Sequence, residues 1–230
     1  MAQSSAVRER RTSVDDIFDY LHEQILTLQL RPGDRISEAE IATQFGVSRQ
    51  PVRDAFSRLA NLDLLLIRPQ RATEVRRFST RQIEKSRFIR SAIDKEVLRR
   101  AAKYCDEVGA ARLDAALQEQ EAALQAMDLD AFGKLDYAFH KILCEIARAD
   151  FAYEVIVEEK AKVDRLCVLG LSKEQRMPEL IADHRAMADA VKAHDAEKAV
   201  EAGVQHLARL DETIKKISAT NANYFERATE

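Results

Sequence analysis

Residues Ser37 to Leu59 read SEAEIATQFGVSRQPVRDAFSRL, and the fold turns on this stretch. Ser37 stands three residues before Glu40, the spacing at which a serine and a glutamate cap a helix reciprocally, and Ile41, Ala42 and Phe45 supply an apolar face. Gly46 stops that helix. A glycine there can take the left-handed conformation that turns the chain, which lets Val47 tuck back toward a core. Ser48 then opens a second helix, in which Val52, Ala55, Phe56 and Leu59 share one side while Arg49, Gln50 and Arg53 occupy the other. Two short helices joined in this way predict a helix-turn-helix. In such motifs the front of the second helix enters the major groove, where a guanidinium can donate twice to guanine O6 and N7.

Any two amphipathic helices around a glycine give a helical hairpin, so the flanks carry weight. Before the pair, RPGDRI places Pro32 and Gly33 in a turn. After it, Leu64 to Ile67 is a short apolar run, RPQRAT is polar, and Thr73 to Arg77 resumes an extended pattern, which predicts a two-stranded wing. Charge agrees with the wing. From Ser48 to Arg77 seven arginines face three carboxylates, although the whole chain carries a formal charge of −3. A local basic face is what phosphate neutralisation requires, and the acidic remainder suits a domain that does not touch DNA. Arg49 and Arg53 are expected at base edges, Arg35, at the start of the helix that Ser37 caps, and Arg58 at phosphates, and Gln70 and Arg71 at the wing tip, with Ser48 and Gln50 at the front of the reading helix.

The run LRPGDRISEAEIATQFGVSRQPVRDAFSRLANLDLLLIRPQRATEV resembles the winged helix-turn-helix of the GntR family of bacterial transcription regulators, over roughly Ser13 to Arg77. SRQPVRDAFSRL is the most diagnostic segment. Two positions depart from the family, which has glycine where Asp63 stands and again where Ala72 stands at the wing tip. Alanine cannot bring the wing backbone as close to a minor groove as glycine.

Upstream, Ser13 predicts the start of a first helix with Ile17, Leu21, Ile25 and Leu28 on one face, and residues 1–12 read as a disordered arm. His22 beside that face reads as a partly buried surface histidine. The N-terminus lacks the apolar core of a signal peptide and no stretch reaches the roughly 18 to 20 apolar residues of a membrane span, so a cytoplasmic protein is expected. Cys105, Cys144 and Cys167 form no close pair and read as buried thiols.

From Ser79 the period becomes helical throughout. Thr80–Tyr104, Ala110–Met127, Asp130–Ala147, Ala152–Leu171, Pro178–Ala193 and Ala196–Ser218 predict a six-helix bundle. The expected fold is therefore mainly α: an arm (1–12), a winged helix-turn-helix with a small two-stranded wing (13–77), an all-α bundle (78–220) and a tail (221–230). Within the bundle, Asp136 and His140 are four residues apart on one helix face and can hold one cation, while His184 and His206 sit among apolar neighbours in later helices. Each histidine taken singly is also explained as a satisfied core residue.

The bundle is similar to the ligand-sensing domain of the fatty-acid-regulator (FCD) branch of the same family, whose D-x-x-F-H motif stands here as DYAFH and whose two later histidines match His184 and His206. That resemblance implies a divalent metal, zinc or nickel, on Asp136, His140, His184 and His206, with positions open to a small organic acid. It also implies Arg90 and Glu96 as effector-binding residues, an arginine fork facing the acid. The family's Gly-Asn after this helix is Ala149-Asp150 here. The whole reading is a ligand-responsive regulator, expected to be a repressor, acting as a homodimer on near-palindromic double-stranded DNA, with no membrane partner. The alternatives are a purely structural or sensed metal, and a metal-dependent hydrolase, against which stands the lack of a general base beside these ligands.

Overall fold

Residues 13–167 and 173–226 are described by the structure, a computed structural model, and the arm expected over 1–12 lies outside the described residues. The chain divides into two compact units between Phe78 and Ser79.

In the first unit α1 (Ser13–Leu26) precedes the two-residue strand β1 (Arg35–Ile36), then come α2 (Glu38–Phe45), α3 (Arg49–Asn61), β2 (Leu65–Leu66) and β3 (Thr73–Val75). Ile17, Leu21 and Ile25 from α1 meet Ile41, Ala42, Val52, Ala55, Phe56 and Leu59 in one core. Burying each isoleucine, leucine, valine or phenylalanine among them contributes about 1.5 to 3 kcal/mol. Leu28 does not join that face. The helix has already ended, Leu28 takes φ 59, and Leu30 packs against the core instead. Half of the reciprocal α2 cap forms: Ser37 Oγ accepts from the Glu40 amide at 3.4 Å, while the Glu40 carboxylate makes no return bond among the described residues. At the other end Gly46 adopts φ 64 and the Val47 amide donates to Ala42 at 3.0 Å. Only glycine adopts that conformation without strain.

The sheet has three strands rather than two, in the order β1-β3-β2 with both pairs antiparallel. Arg35 lies opposite Glu74, and Leu65 opposite Val75. Arg35 therefore belongs to a strand, not to the start of the second helix. The Pro32-Gly33 turn explains this, since Asp34 N donates to Arg31 O at 2.9 Å and Gly33, at φ 94, donates to Val75 O at 2.8 Å. The turn thus zips the segment onto β3 before Ser37 can begin a helix.

The second unit holds α4 (Thr80–Tyr104), α5 (Glu107–Gln125), α6 (Leu129–Ile146), α7 (Asp150–Cys167), α8 (Lys173–Lys192) and α9 (Ala196–Thr220). A 3-10 turn, Ala222–Tyr224, follows and buries Phe225 within the segment read as a tail. Four of these helices start earlier than the spacing predicts. At α5 the cause is Asp106, whose carboxylate accepts from the Gly109 amide at 2.7 Å, so Val108 and Gly109 lie inside the helix. Asp128 and Asp195 cap α6 and α9 in the same way. Pro178 is inside α8 rather than at its start, near enough to the N-terminus to remove a single backbone bond. Non-glycine residues take left-handed turns after three of these helices, Met127, Arg148 and His194. The core joins Val97, Leu98, Leu113, Leu117, Phe139, Leu143, Ile156, Met187 and Val191 from five helices. Cys105 and Cys144 are buried free thiols, and burial pushes Cys144 up to about 12, while the Cys167 side chain lies outside the described residues. No described helix is long and apolar enough to cross a membrane.

Candidate functional site

The exposed front of α3 presents Ser48, Arg49, Gln50 and Arg53, because Val52, Ala55, Phe56 and Leu59 take the buried side. Five of the seven basic groups between Ser48 and Arg77 are engaged by carboxylates of their own unit. Arg53 Nε meets Glu38 at 2.9 Å, Arg68 and Arg77 share Glu74, and Arg76 reaches Asp63. Arg58 pairs with Asp15 at 2.8 Å and lies 4.1 Å over the Phe18 ring. It cross-links α1 to α3, which makes it a poor phosphate contact. Asp54, its expected helical partner, instead accepts from Gln50 Nε2 at 2.9 Å. Arg49 and Arg71 make no side-chain ion pair or hydrogen bond among the described residues, and both are exposed. Gln70 takes φ 58 after Pro69 at the wing turn, so it supplies the left-handed residue that glycine would provide. His22, expected to be partly buried, stacks on Phe18 with ring centroids 5.5 Å apart.

In the second unit three helices bring their histidines together. His140 from α6, His184 from α8 and His206 from α9 each offer a ring nitrogen within 4.8 Å of the others. Asp136, one turn before His140, places Oδ1 3.4 Å from His184 Nε2. Phe139 is fully buried and stacks on His184 at 4.4 Å and 16°, which fixes the plane of that imidazole. His184 Nδ1 lies 2.8 Å from Gln120 Oε1, while Gln120 Nε2 donates to Leu135 O. The amide orientation makes Oε1 the acceptor, so Nδ1 carries the proton and Nε2 keeps its lone pair. His140 Nε2, His184 Nε2 and His206 Nδ1 are buried without a hydrogen-bond partner of ordinary geometry among the described residues. An uncompensated buried polar atom is costly, and three in one cluster ask for a common partner.

Electrostatics prepares the same atoms. Burial lowers His140 well below its usual value and takes His184 to about 3, so both rings are neutral at neutral pH, the form that ligates metal. Burial by itself would raise Asp136, but Lys160 foremost and then the imidazoles outweigh it and hold the carboxylate ionised. An anionic oxygen and three imidazoles suit a borderline divalent cation. Asp183 stands 3.5 Å from His206 Nδ1 and accepts from Arg209 Nε at 3.0 Å.

Arg90 is buried, as an inward role requires, whereas Glu96 does not share its face. Glu96 is exposed and pairs with Arg99. Six residues along a helix rotate a side chain to a different face, whereas four return it, and Asp94 is the residue that meets Arg90 at 2.8 Å. Asp94 also lines a cavity with Val97, Leu98, His140, Leu143, Ile156, Met187, Gly203 and His206, and that cavity leaves about 10 Å³ for the centre of a water molecule. Gln120 and Lys160 escape a linear reading because only packing places them, whereas Asp94 stands four residues from Arg90, a spacing that helix geometry makes legible. Asp183 carried a weak signal, adjacent as it is to His184.

Against known proteins, the profile described as "Bacterial regulatory proteins, gntR family" matches residues 13–75, and the FCD domain profile matches residues 87–209. The chain is 35% identical over 209 residues to the HTH-type transcriptional repressor RspR of Escherichia coli K12, covering 91% of this chain and 92% of that protein. The chain belongs to the GntR family of bacterial transcription regulators. This GntR regulator is also 31% identical over 225 residues to an uncharacterised HTH-type regulator of Streptomyces ambofaciens, covering 98% and 93%. The solved structure of E. coli McbR/YncC shares its fold, with a TM-score of 0.66 at 19% identity over 90% of this chain and 99% of that one. The relatives named here are transcription regulators, and the regulator reads as a DNA-binding protein rather than an enzyme.

Proposed function

We propose that this GntR regulator is a repressor that works as a homodimer on a near-palindromic operator and releases it when a small organic acid enters the bundle. Arg49 and Arg53 read bases from α3, and Arg35, Gln50, Gln70 and Arg71 flank them, while Ser48 begins the helix that presents them. Asp136, His140, His184 and His206 hold a divalent cation, zinc or nickel by the softness of the donors. When bound, that cation supplies a Lewis-acidic position for a carboxylate oxygen. The observation that carries this reading is the convergence, beside Asp136, of three buried imidazole nitrogens that make no hydrogen bond of ordinary geometry among the described residues. Support for repression comes from RspR and from a probable D-xylose utilization operon repressor of Paenarthrobacter nicotinovorans, 28% identical over 204 residues.

The narrow cavity gives the acid a direct route to a conformational effect. Roughly one water fits a space of that size, so an acid must displace Leu98 or Met187 or spread the helices that line it. One of those helices is α4, which begins at Thr80, directly after the wing segment. An effector shifts operator affinity only by its preference for the expanded arrangement. The test combines elemental analysis of the purified protein with titration of organic acids against operator affinity. An operator affinity unchanged by every acid that binds tightly refutes the effector reading. The same narrowness favours a second reading in which the cation is structural. Chelation then lowers the melting temperature while acid has no site to enter, and the two readings separate on acid binding by the metal-loaded protein.

A further inference from the structure

Lys160 is the charged neighbour of the histidine centre that the reading above leaves without a role. It comes from α7, whereas Asp136 and His140 come from α6, and its Nζ lies 3.1 Å from Asp136 Oδ2. The other carboxylate oxygen, Oδ1, faces His184 Nε2 at 3.4 Å. The two oxygens of one carboxylate thus face two kinds of partner, an ammonium on one side and the imidazole cluster on the other. Both side chains are shielded, at 17% exposure for Lys160 and 8% for Asp136, so water competes little for the pair. The ammonium also lies 4.2 Å over the ring of Tyr137, the residue after Asp136, which holds it from a second direction.

We propose that Lys160 is a positioning residue for the cation centre: by holding Asp136 Oδ2 it restricts the carboxylate to a single-oxygen ligand through Oδ1 and keeps a coordination position open to an incoming acid. The inference rests on the reading of the four residues as a cation site. A carboxylate can bind a cation through one oxygen or both. With both oxygens and three imidazoles the protein would offer five donor atoms, whereas with one oxygen it would offer four, which would leave more of the cation accessible to an acid. The ammonium also offsets the carboxylate charge, so a divalent cation held there would keep its attraction for an anion. Two effects of Lys160 on the cation oppose each other. Its charge repels the cation, and its hydrogen bond orders the ligand. Partners that order a ligand from outside generally dominate, and their loss costs about 10- to 100-fold in metal affinity.

Cobalt(II) is the probe, because its visible absorption reports coordination number and geometry. Lys160→Met keeps the apolar stem and removes the ammonium, and Lys160→Arg keeps a cationic donor. The expected result is cobalt binding weakened at least about tenfold in Lys160→Met, with an altered visible spectrum that no longer responds to added acetate, and with all three properties restored toward wild type in Lys160→Arg. Melting curves of the metal-free variants establish that each is folded, and Lys160→Ala serves the same comparison should the methionine variant not fold. Wild-type affinity together with a wild-type spectrum and acetate response in the ammonium-free variant overturns the positioning role, as does tighter binding, which would make Lys160 a mere competitor. A wild-type protein that takes up no cobalt overturns the cation-site reading itself, a distinguishable outcome.

Discussion

Replacing Arg49 by alanine is the sharpest probe of the DNA-reading helix, because Arg49 alone among the basic groups at its front has no carboxylate to leave. Arg53, one turn on, has its Nε on Glu38 at 2.9 Å with 56% of its side chain exposed. An exposed pair of that kind contributes roughly 0.2 to 1 kcal/mol, and a bidentate arginine–guanine contact discriminates by about 1 to 3 kcal/mol. Arg49→Ala should therefore lower the ratio of specific to non-specific affinity by about 5- to 140-fold, at about 1.4 kcal/mol per tenfold. For Arg53 the geometry predicts something different. With Nε held by Glu38, the two Nη groups remain to address a base end-on, so Glu38 orients the arginine while placing a negative charge near the phosphates. Glu38→Ala should raise non-specific affinity and yet lower the specificity ratio, by at most the few-fold that the exposed pair allows. Fluorescence anisotropy with a duplex selected from a random library and a scrambled control, each at several salt concentrations, measures both quantities. Arg49→Ala with an unchanged specificity ratio refutes the reasoning, and a Glu38→Ala variant with improved specificity refutes the orienting role.

Gly203 stands where a Cβ would come within 2.2 Å of Leu98 Cδ1, and both residues line the cavity beside His140 and His206. Gly203→Ala should push Leu98 into that cavity and weaken acid binding at least about tenfold, whereas metal content stays unchanged; calorimetric titration with the acid and elemental analysis decide it, the cost in packing being about 1 to 3 kcal/mol at most. Ser86 Oγ donates to the buried Glu159 at 2.6 Å and Lys162 Nζ approaches it at 2.9 Å. Burial pushes the Glu159 carboxyl up, but these two partners outweigh it and hold the group below the usual 4.5. A depressed carboxylate contributes stability above its unfolded value and loses it as pH falls through the folded one. Glu159→Gln should thus cost roughly 1 to 2 kcal/mol at pH 7, from the loss of charged hydrogen bonds, and progressively less as pH falls below the usual 4.5 and through the depressed folded value; melts at a series of acidic pH values check it, and a pH-independent difference refutes it. Chelation should lower the melting temperature of wild type and leave that of His184→Ala unmoved, because metal bound only to the folded state stabilises by mass action.

The first unit was largely legible from its sequence because its signals are local. Gly46 requires a left-handed backbone, Ser37 sits at capping distance from Glu40, and the apolar spacing of Val52, Ala55, Phe56 and Leu59 leaves only one face for Arg49 and Arg53. The same logic identified six helices in the second unit, since 3.6-residue periodicity survives in any context. It placed four of their starts too late, because Asp106 caps through its side chain without any break in polarity, and because Met127 and Arg148 end helices in conformations usually assigned to glycine. It also placed Arg35 in a helix, since a two-residue strand has no period of its own and exists only because β3 is there to pair with it.

Sequence by itself determined the class of the protein: which faces are apolar, where the reading helix begins, and that Asp136 and His140 share a helix face. Tertiary structure alone decided the partners. It sent Arg58 to Asp15, set Gln120 behind His184, and brought Lys160 to the far oxygen of Asp136. Local propensity is fixed by a few neighbouring residues, whereas the charge and hydrogen-bond state of a buried group depends on side chains that arrive from helices distant in the chain, and only packing brings those together.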